Sequence, residues 1–364
     1  MLTARSERLG ALHLHELLRL ARSSNASDLH IAAGEAPTLR IDGTLIRLDA
    51  QTHLDEYILS HCIDELLDDK ARRTLRERGD ADTALRDEEL GAFRVHAFRS
   101  LGRLCLAIRL LARQIPSLDR ILPSALLTSF TERQAGLVLF VGPTGSGKTT
   151  SLAALVDRIN RTAHKHILTI EDPVEYAHRS IRSIVSHREL GSDVADYAGA
   201  VRSCLRSDPD VILIGELRDA ATMAAALSAA ETGHLVLSTL HTADAPQTID
   251  RIVDSFGGGS QNEIRAQLAQ TLAGVVSVRL VPRAAGRGRL AAVEILTATD
   301  AVRALIRDGK THQLRNAMQT GRASGMQTLE THLSELVLRR EITLEAAKAA
   351  TDRPGDIRAI PGAS

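Results

Sequence analysis

The chain has no tryptophan, and aromatic residues of all kinds make up only 2% of its 364 residues. Proteins that bind single strands stack bases on aromatic rings, so a helicase-like or strand-tracking role has little material here. Neither sign of charge is in excess, because 45 Lys and Arg balance 45 Asp and Glu. Without a net field nothing draws the chain onto DNA, RNA or an anionic membrane, and no nucleic-acid partner is expected. The three cysteines, Cys62, Cys105 and Cys204, are odd in number and far apart, which excludes a disulfide framework and points to a reducing compartment. No C-x-x-C pair is present to hold zinc. Long apolar runs are missing as well: Met1 to Leu20 mixes Arg, Glu and His among its leucines, and no stretch of about 18 apolar residues occurs anywhere. These absences predict a soluble, cytoplasmic protein without direct membrane insertion, reaching a membrane only through partners.

What is present is a phosphate-cradling loop. Gly142-Pro143-Thr144-Gly145-Ser146-Gly147-Lys148-Thr149 fits G-x-x-x-x-G-K-[ST], with Thr150 next to it. The run Leu137-Val138-Leu139-Phe140-Val141 before it reads as a buried parallel strand, and Thr150 to Asn160 reads as a helix. In that setting glycines let backbone N–H groups approach an anion at a helix N-terminus. Lys148 supplies a charge for the β- and γ-phosphates of ATP, and the Thr149 hydroxyl is a ligand for Mg²⁺.

The length predicts two domains. Leu12 to Arg22 carries leucines at helical spacing; Leu29 to Ile31 and Thr38 to Leu48 alternate like strands, with Asp42-Gly43 at a hairpin turn. A helical stretch over Leu54 to Arg78 and strands at Phe93 to Phe98 and Leu104 to Leu111 complete a small α+β domain over residues 1–112, built on an antiparallel sheet. Residues 113–123, closed by Pro116 and Pro123, read as a linker. Buried runs then alternate with helices: Val138 to Val141, Ile167 to Ile170, Val211 to Ile214 and Leu235 to Ser238. This predicts an α/β domain over 124–298, RecA-like, with a parallel sheet. Ala220 to Ala230 reads as a helix ending before Gly233. Residues 299–352 are helical in pattern, with segments at Ala301 to Arg307, Thr328 to Arg339 and Leu344 to Ala350, and 353–364 read as a disordered tail.

Three polar segments follow the loop, each beside one of the predicted strands. Ligands of open α/β sheets bind at the carboxyl ends of the strands, so all three are expected to converge on the nucleotide. The turn Glu171-Asp172-Pro173-Val174-Glu175 offers three carboxylates that can orient a water or take its proton. Glu216 ends the apolar strand of Asp208 to Glu216 and is placed to contact Mg²⁺ directly or through water. Which of Glu171, Glu175 and Glu216 acts as the base stays open. His234 and His241 flank the next strand and can sense a γ-phosphate by hydrogen bonding. They do not share a metal, since seven residues of strand at about 3.3 Å each hold them more than about 20 Å apart.

Together GPTGSGKTT (142–150), IEDPVEY (170–176), DPDVILIGELRD (208–219) and HLVLSTLHT (234–242) resemble the Walker A, Asp box, Walker B and His box of secretion-type ATPases. The chain is most similar to the type IV pilus retraction ATPases, the PilT family. Ala26-Ser27-Asp28-Leu29-His30 and Arg40-Ile41-Asp42-Gly43 resemble that family's opening. Gly309-Lys310-Thr311-His312-Gln313 and Gly325-Met326-Gln327-Thr328-Leu329 resemble its C-terminal region. The resemblance implies a homohexamer with a PAS-like N-terminal domain and a RecA-like ATPase domain, hydrolysing Mg-ATP. It also implies arginines of the first domain at the phosphates, carried here by Arg94 and Arg109 and more weakly by Arg103. An inner-membrane platform protein and a paralogous retraction ATPase are the implied partners. Ala301 to Asp308 resembles the AIRNLIRE motif of the retraction branch but departs at Val302, Ala304 and Asp308. The tetracysteine zinc motif and longer N-terminal extension that assembly and secretion relatives usually carry are not expected here. A related secretion, conjugation or accessory pilus motor is the alternative; further off stand a nucleic-acid translocase and a nucleotide-binding scaffold without turnover.

Overall fold

The structure, a computed structural model, describes residues 14–358 apart from 42, 50–53, 88, 112–113, 122–124 and 287. The chain divides into two compact units, Met1–Gln114 and Ile115–Ser364.

In the first unit a helix through residues 14–23 (α1) buries Leu14, Leu17, Leu18 and Ala21 on one stripe, as its leucine spacing requires; Leu12 lies outside the described residues. β1 (Asp28–Ala32), β2 (Thr38–Ile41) and β3 (Thr44–Arg47) follow, and Ile41 pairs with Thr44 across the predicted hairpin. Gly43 is at its tip, and Asp42 falls outside the description. The single helix expected over 54–78 is two, α2 (Glu56–Leu66) and α3 (Asp69–Arg78). Asp55 and Asp68 each accept a backbone N–H three residues on, so the second aspartate starts a new helix rather than continuing the first. β4 (Asp80–Asp87), which the sequence did not announce, pairs with β5 (Gly91–Ser100), and β5 pairs with β6 (Arg103–Leu110). The antiparallel sheet runs β3-β2-β1-β6-β5-β4. Phe93, Val95 and Ala97 turn one face of β5 into the core, leaving alternate residues on the other face.

In the second unit the expected linker is partly packed: Leu118–Ile121 forms a helical turn (α4), and Leu118 is buried against the core. α5 (Ala125–Thr131) leads to β7 (Gly136–Val141), α6 (Lys148–Thr162), β8 (His166–Glu171), β9 (Ile184–Glu189), α7 (Tyr197–Cys204), β10 (Val211–Ile214), α8 (Ala220–Glu231) and β11 (Leu235–Leu240). α9 (Ala245–Asp254), α10 (Gln261–Thr271), β12 (Leu272–Pro282) and β13 (Arg289–Thr297) complete the sheet, ordered β13-β12-β7-β11-β10-β8-β9. All its pairings are parallel except that of β12 with β13.

Every residue of β7 is buried, because helices cover both faces. Leu137, Leu139 and Val141 join the core beneath α7 to α11, where α11 is Asp300–Arg307. Val138 and Phe140 join the core beneath α5 and α6. Asp196, Asp219 and Asp244 cap α7, α8 and α9 through their carboxylates, so the turns leaving β10 and β11 are short and stiff.

Beyond α11 come α12 (Leu314–Thr320), α13 (Leu329–Leu338) and α14 (Leu344–Ala349). The expected tail is ordered over its first half. Asp356 takes the Arg315 guanidinium at 2.8 Å, Ser334 Oγ accepts the Arg358 N–H at 2.9 Å, and Ile357 packs beside α13 and α14. Charge pairing with Arg315 is what a composition-based estimate of disorder cannot see; residues 359–364 lie outside the description.

Candidate functional site

The loop after β7 is built for close approach. A Cβ on Gly142 would meet Val278 O at 2.5 Å and Ser146 Oγ at 2.7 Å. Among the described residues no side chain caps the N-terminus of α6 at Lys148, and none is a hydrogen-bond partner of the buried Ser146 Oγ. Uncapped N–H groups, a spare hydroxyl and no Cβ in the way fit an anion. Lys148 is 7% exposed, and its Nζ donates to Gly142 O at 2.7 Å and Pro143 O at 2.9 Å. Burial lowers its pKa, against the pull of the Glu216 charge.

The acidic segments arrive on neighbouring strands. Glu171 ends β8 and is 8% exposed; Asp172 is exposed and Glu175 half-buried. On β9, His187 Nε2 accepts the His178 N–H, and its Nδ1 lies 2.8 Å from Thr169 Oγ1 and 3.8 Å from Glu171. Glu216 stands just past β10, in a turn pinned on both sides: Gly215 N–H donates to Ile170 O on β8, and Thr239 Oγ1 on β11 donates to Gly215 O.

One chain of contacts joins these parts. Arg218 Nε donates to Glu216 Oε2 at 2.8 Å, His241 Nε2 lies 3.3 Å from Glu216 Oε1, and His241 Nδ1 lies 3.4 Å from Lys148 Nζ. An ammonium has only hydrogens to offer, so Nδ1 is the acceptor and Nε2–H faces the carboxylate. The imidazole is therefore a bridge between the phosphate loop and the strand-end acid. The bond to Glu216 raises the pKa of Arg218.

The expected convergence of both histidines is corrected for His234. It precedes β11, at the end of the strand away from the loop, and its Nδ1 lies 3.0 Å from Ala229 O at the close of α8. In a parallel strand only the carboxyl end meets the phosphate loop, and seven residues separate the two ends. Thr149 is half-buried at the start of α6, and the Thr150 hydroxyl lies 3.0 Å from that of Tyr176.

A cavity of about 190 Å³ opens beside the loop, lined by Gly147 and Thr150 and, across from them, by Leu280, Leu290, Arg283 and Arg289. Apolar walls with two arginines suit the flat face of a heterocycle. These residues were missed in the sequence because they lie more than 120 positions downstream and belong to no motif; only the pairing of β12 with β7 carries them there.

In the N-terminal unit the register puts Arg94, Arg109, Asp28 and Arg40 in one row across β5, β6, β1 and β2. Arg109 Nε donates to Asp28 Oδ1 at 2.9 Å and its side chain is 62% exposed. Burial acts to raise the Asp28 pKa, but hydrogen bonds from Arg109 and Ser27 win and lower it. Arg103 begins β6, away from this row, and lies 3.6 Å from Glu35.

Among the described residues no group of three or more His, Cys, Asp or Glu is arranged to hold a metal ion. Nor is any helix of the described residues long and apolar enough to cross a membrane.

The model of the Type II/IV secretion system protein family matches residues 6–359. The type IV pilus retractation ATPase PilT of Pseudomonas aeruginosa is 39% identical, over 94% of this chain and 99% of its own. The type IV pilus ATPase PilU of the same organism is 36% identical, over 95% and 91%. A crystal structure of the pilus retraction motor PilT with bound ADP superimposes with a TM-score of 0.86 at 41% identity, covering 94% of this chain and 98% of that one. A match this continuous spans both units and every box around the phosphate loop. The chain belongs to the Type II/IV secretion system protein family and, within it, to the type IV pilus retraction ATPases of the PilT family.

Proposed function

We propose that this protein is an ATP-hydrolysing motor that drives type IV pilus retraction, the disassembly step behind twitching motility. It works as a homohexamer in the cytoplasm, held at the inner membrane by a platform protein and sharing its task with a paralogous retraction ATPase. The bridge from Lys148 through His241 to Glu216 supports this best, because it ties the phosphate loop to the strand-end acid that hydrolysis needs.

The residues divide the work as follows. Gly142 to Thr150 cradle the phosphates, with Lys148 leaving its carbonyl partners for the β- and γ-oxygens. The purine faces Leu280 and Leu290. Thr149 would hold Mg²⁺ through its hydroxyl, and the ion would supply charge neutralisation to the phosphates. Glu216, held by Arg218 and His241, would act on the metal directly or through water. Glu171, with Asp172 and Glu175 beside it, lines the same strand ends and can orient or deprotonate the attacking water. The resemblance assigns Arg94 and Arg109 the stabilisation of transition-state charge, and within the first unit Arg109 is held by Asp28.

An accessory motor is the second possibility, favoured by the similarity to PilU and by Ala304, which replaces an amide of the retraction motif. The frame of that motif persists: Val302 and Ile306 are fully buried, and Arg303 caps the end of α10 through the carbonyls of Ala269 and Gln270.

Phosphate release by the purified protein tests the proposal. Lys148→Ala is expected to lose nucleotide affinity and turnover together. Glu216→Gln is expected to keep affinity and lose about 10²-fold or more in kcat, as removal of a catalytic acid-base or metal-orienting group does. Full activity in Glu216→Gln removes that residue from the mechanism. Twitching that survives deletion of the gene transfers the protein to the accessory role.

A further inference from the structure

β12 and β13 pair with Ser277 directly opposite Glu294. Both side chains reach the segment that follows His241. Ser277 Oγ donates to Ala243 O at 2.8 Å, and the Ala245 N–H donates to Glu294 Oε1 at 2.9 Å. Ala245 is the first residue of α9, so these two bonds hold the turn between the His241 imidazole and a helix packed into the core. Nothing in the sequence joins position 294 to position 241.

Glu294 is an unusual anchor, because it is only 4% exposed and forms no ion pair among the described residues. The charged groups around it come from several neighbouring elements, including Asp352 and Arg353 beyond α14, which line the same cavity as Glu294. Asp244 caps α9, Arg279 lies two residues beyond Ser277 on β12, and Arg315 on α12 is committed to Glu330 on α13. His312 shares with Glu294 a cavity of about 320 Å³, and His332 on α13 accepts the N–H of the adjoining Val293. Burial pushes the Glu294 carboxyl up to about 7; the Ala245 N–H opposes this, Asp244 and Glu330 add to it, and Arg315 opposes it.

We propose that Glu294 is a positioning residue for hydrolysis: by fixing the start of α9 it holds His241 between Lys148 and Glu216. This rests on the ATPase activity proposed above. As a carboxylate Glu294 accepts the Ala245 N–H in a charge-assisted bond; as an acid it accepts more weakly and must also place its own proton. The turn is therefore held firmly above neutral pH and loosely below it. Turnover follows, although Glu294 is not among the residues of the phosphate loop or of the strand-end acids.

The test is a pH profile of kcat and KM between pH 5.5 and 8.5 for the wild type, Glu294→Gln and Ser277→Ala. Glutamine keeps an acceptor for Ala245 and removes the buried charge, so the variant is expected to fold. The wild type is expected to lose activity as pH falls through about 7. Glu294→Gln is expected to be flat through that range, at about a third to a tenth of the wild-type plateau, with KM little changed. Ser277→Ala is expected to keep the pH limb at a lower kcat. If Glu294→Gln keeps both the wild-type limb and its plateau, the limb belongs to another group such as His241 and the proposal falls. If the wild type itself releases no phosphate, it is the ATPase assignment that fails. Nucleotide affinity and thermal unfolding of each variant separate a loosened turn from a damaged fold.

Discussion

Gly142→Ala puts the phosphate loop under a defined steric load. The new methyl would stand 2.5 Å from Val278 O and 2.7 Å from Ser146 Oγ, at a φ of +141°. Serine can swing aside, but Val278 is held in β12 between β7 and β13, so the loop must move instead. Gly145→Ala is the matched control: its φ is +75°, and a Cβ there meets nothing within 4 Å. Backbone strain alone is worth about 1–2 kcal/mol in Gly145→Ala. Gly142→Ala adds overpacking of about 1–3 kcal/mol, for a total of roughly 2–5 kcal/mol. At about 2–4 °C per kcal/mol for a unit of this size, Tm should fall by roughly 4–20 °C. Displacing the backbone N–H groups forfeits one or two bonds to a charged ligand, each about 1.5–3 kcal/mol, so ADP affinity should drop by about 10²-fold. Differential scanning fluorimetry with and without ADP, and calorimetric titration of ADP, read both quantities. Adding Ser146→Ala should not rescue Gly142→Ala, since the contact with Val278 O remains. A Gly142→Ala protein that matches Gly145→Ala in Tm and binds ADP like the wild type, or one that Ser146→Ala restores, would refute this account of the loop.

The two histidines should separate in their effects. His241→Ala breaks the bridge between Lys148 and Glu216 and should lower kcat by about tenfold or more at unchanged fold, whereas His234→Ala should act first on Tm, through the carbonyl of Ala229, at a cost of about 1 kcal/mol. Equal kcat losses with unchanged Tm would overturn that division. Glu330 is buried, accepts from Arg315 and Thr351, and has its carboxyl held below the usual range despite burial. Glu330→Ala leaves Arg315 with Asp356 alone and should cost about 3 kcal/mol, read by urea unfolding; a loss below about 1 kcal/mol would show that the tail contact with Asp356 suffices.

The α/β class and the strands at 137–141, 167–170, 211–214 and 235–238 were legible because fully buried parallel strands must be short, apolar and β-branched. Strands that break this pattern were silent. β4 and β9 are edge strands of polar composition, Asp80–Asp87 and Ile184–Glu189, and an exposed edge is where a sheet accepts charge to avoid further pairing. The division of the helical stretch at Asp68 was missed because periodicity continues across a capping residue.

The sequence by itself determined the phosphate loop, because a strand, a glycine turn and a helix N-terminus are contiguous in the chain, and it marked the acids and the two histidines flanking the later strands as candidates. Tertiary structure decided everything that depends on strand order and register. Placing β12 beside β7 brings Leu280 and Leu290 to the loop, and pairing Ser277 with Glu294 puts a buried acid on the turn after His241. The same sheet sends His234 to the far end, although it belongs to the same box as His241. Contacts between distant segments are fixed by which strands share hydrogen bonds, and that choice minimises exposed apolar surface over the whole unit rather than within any window of sequence.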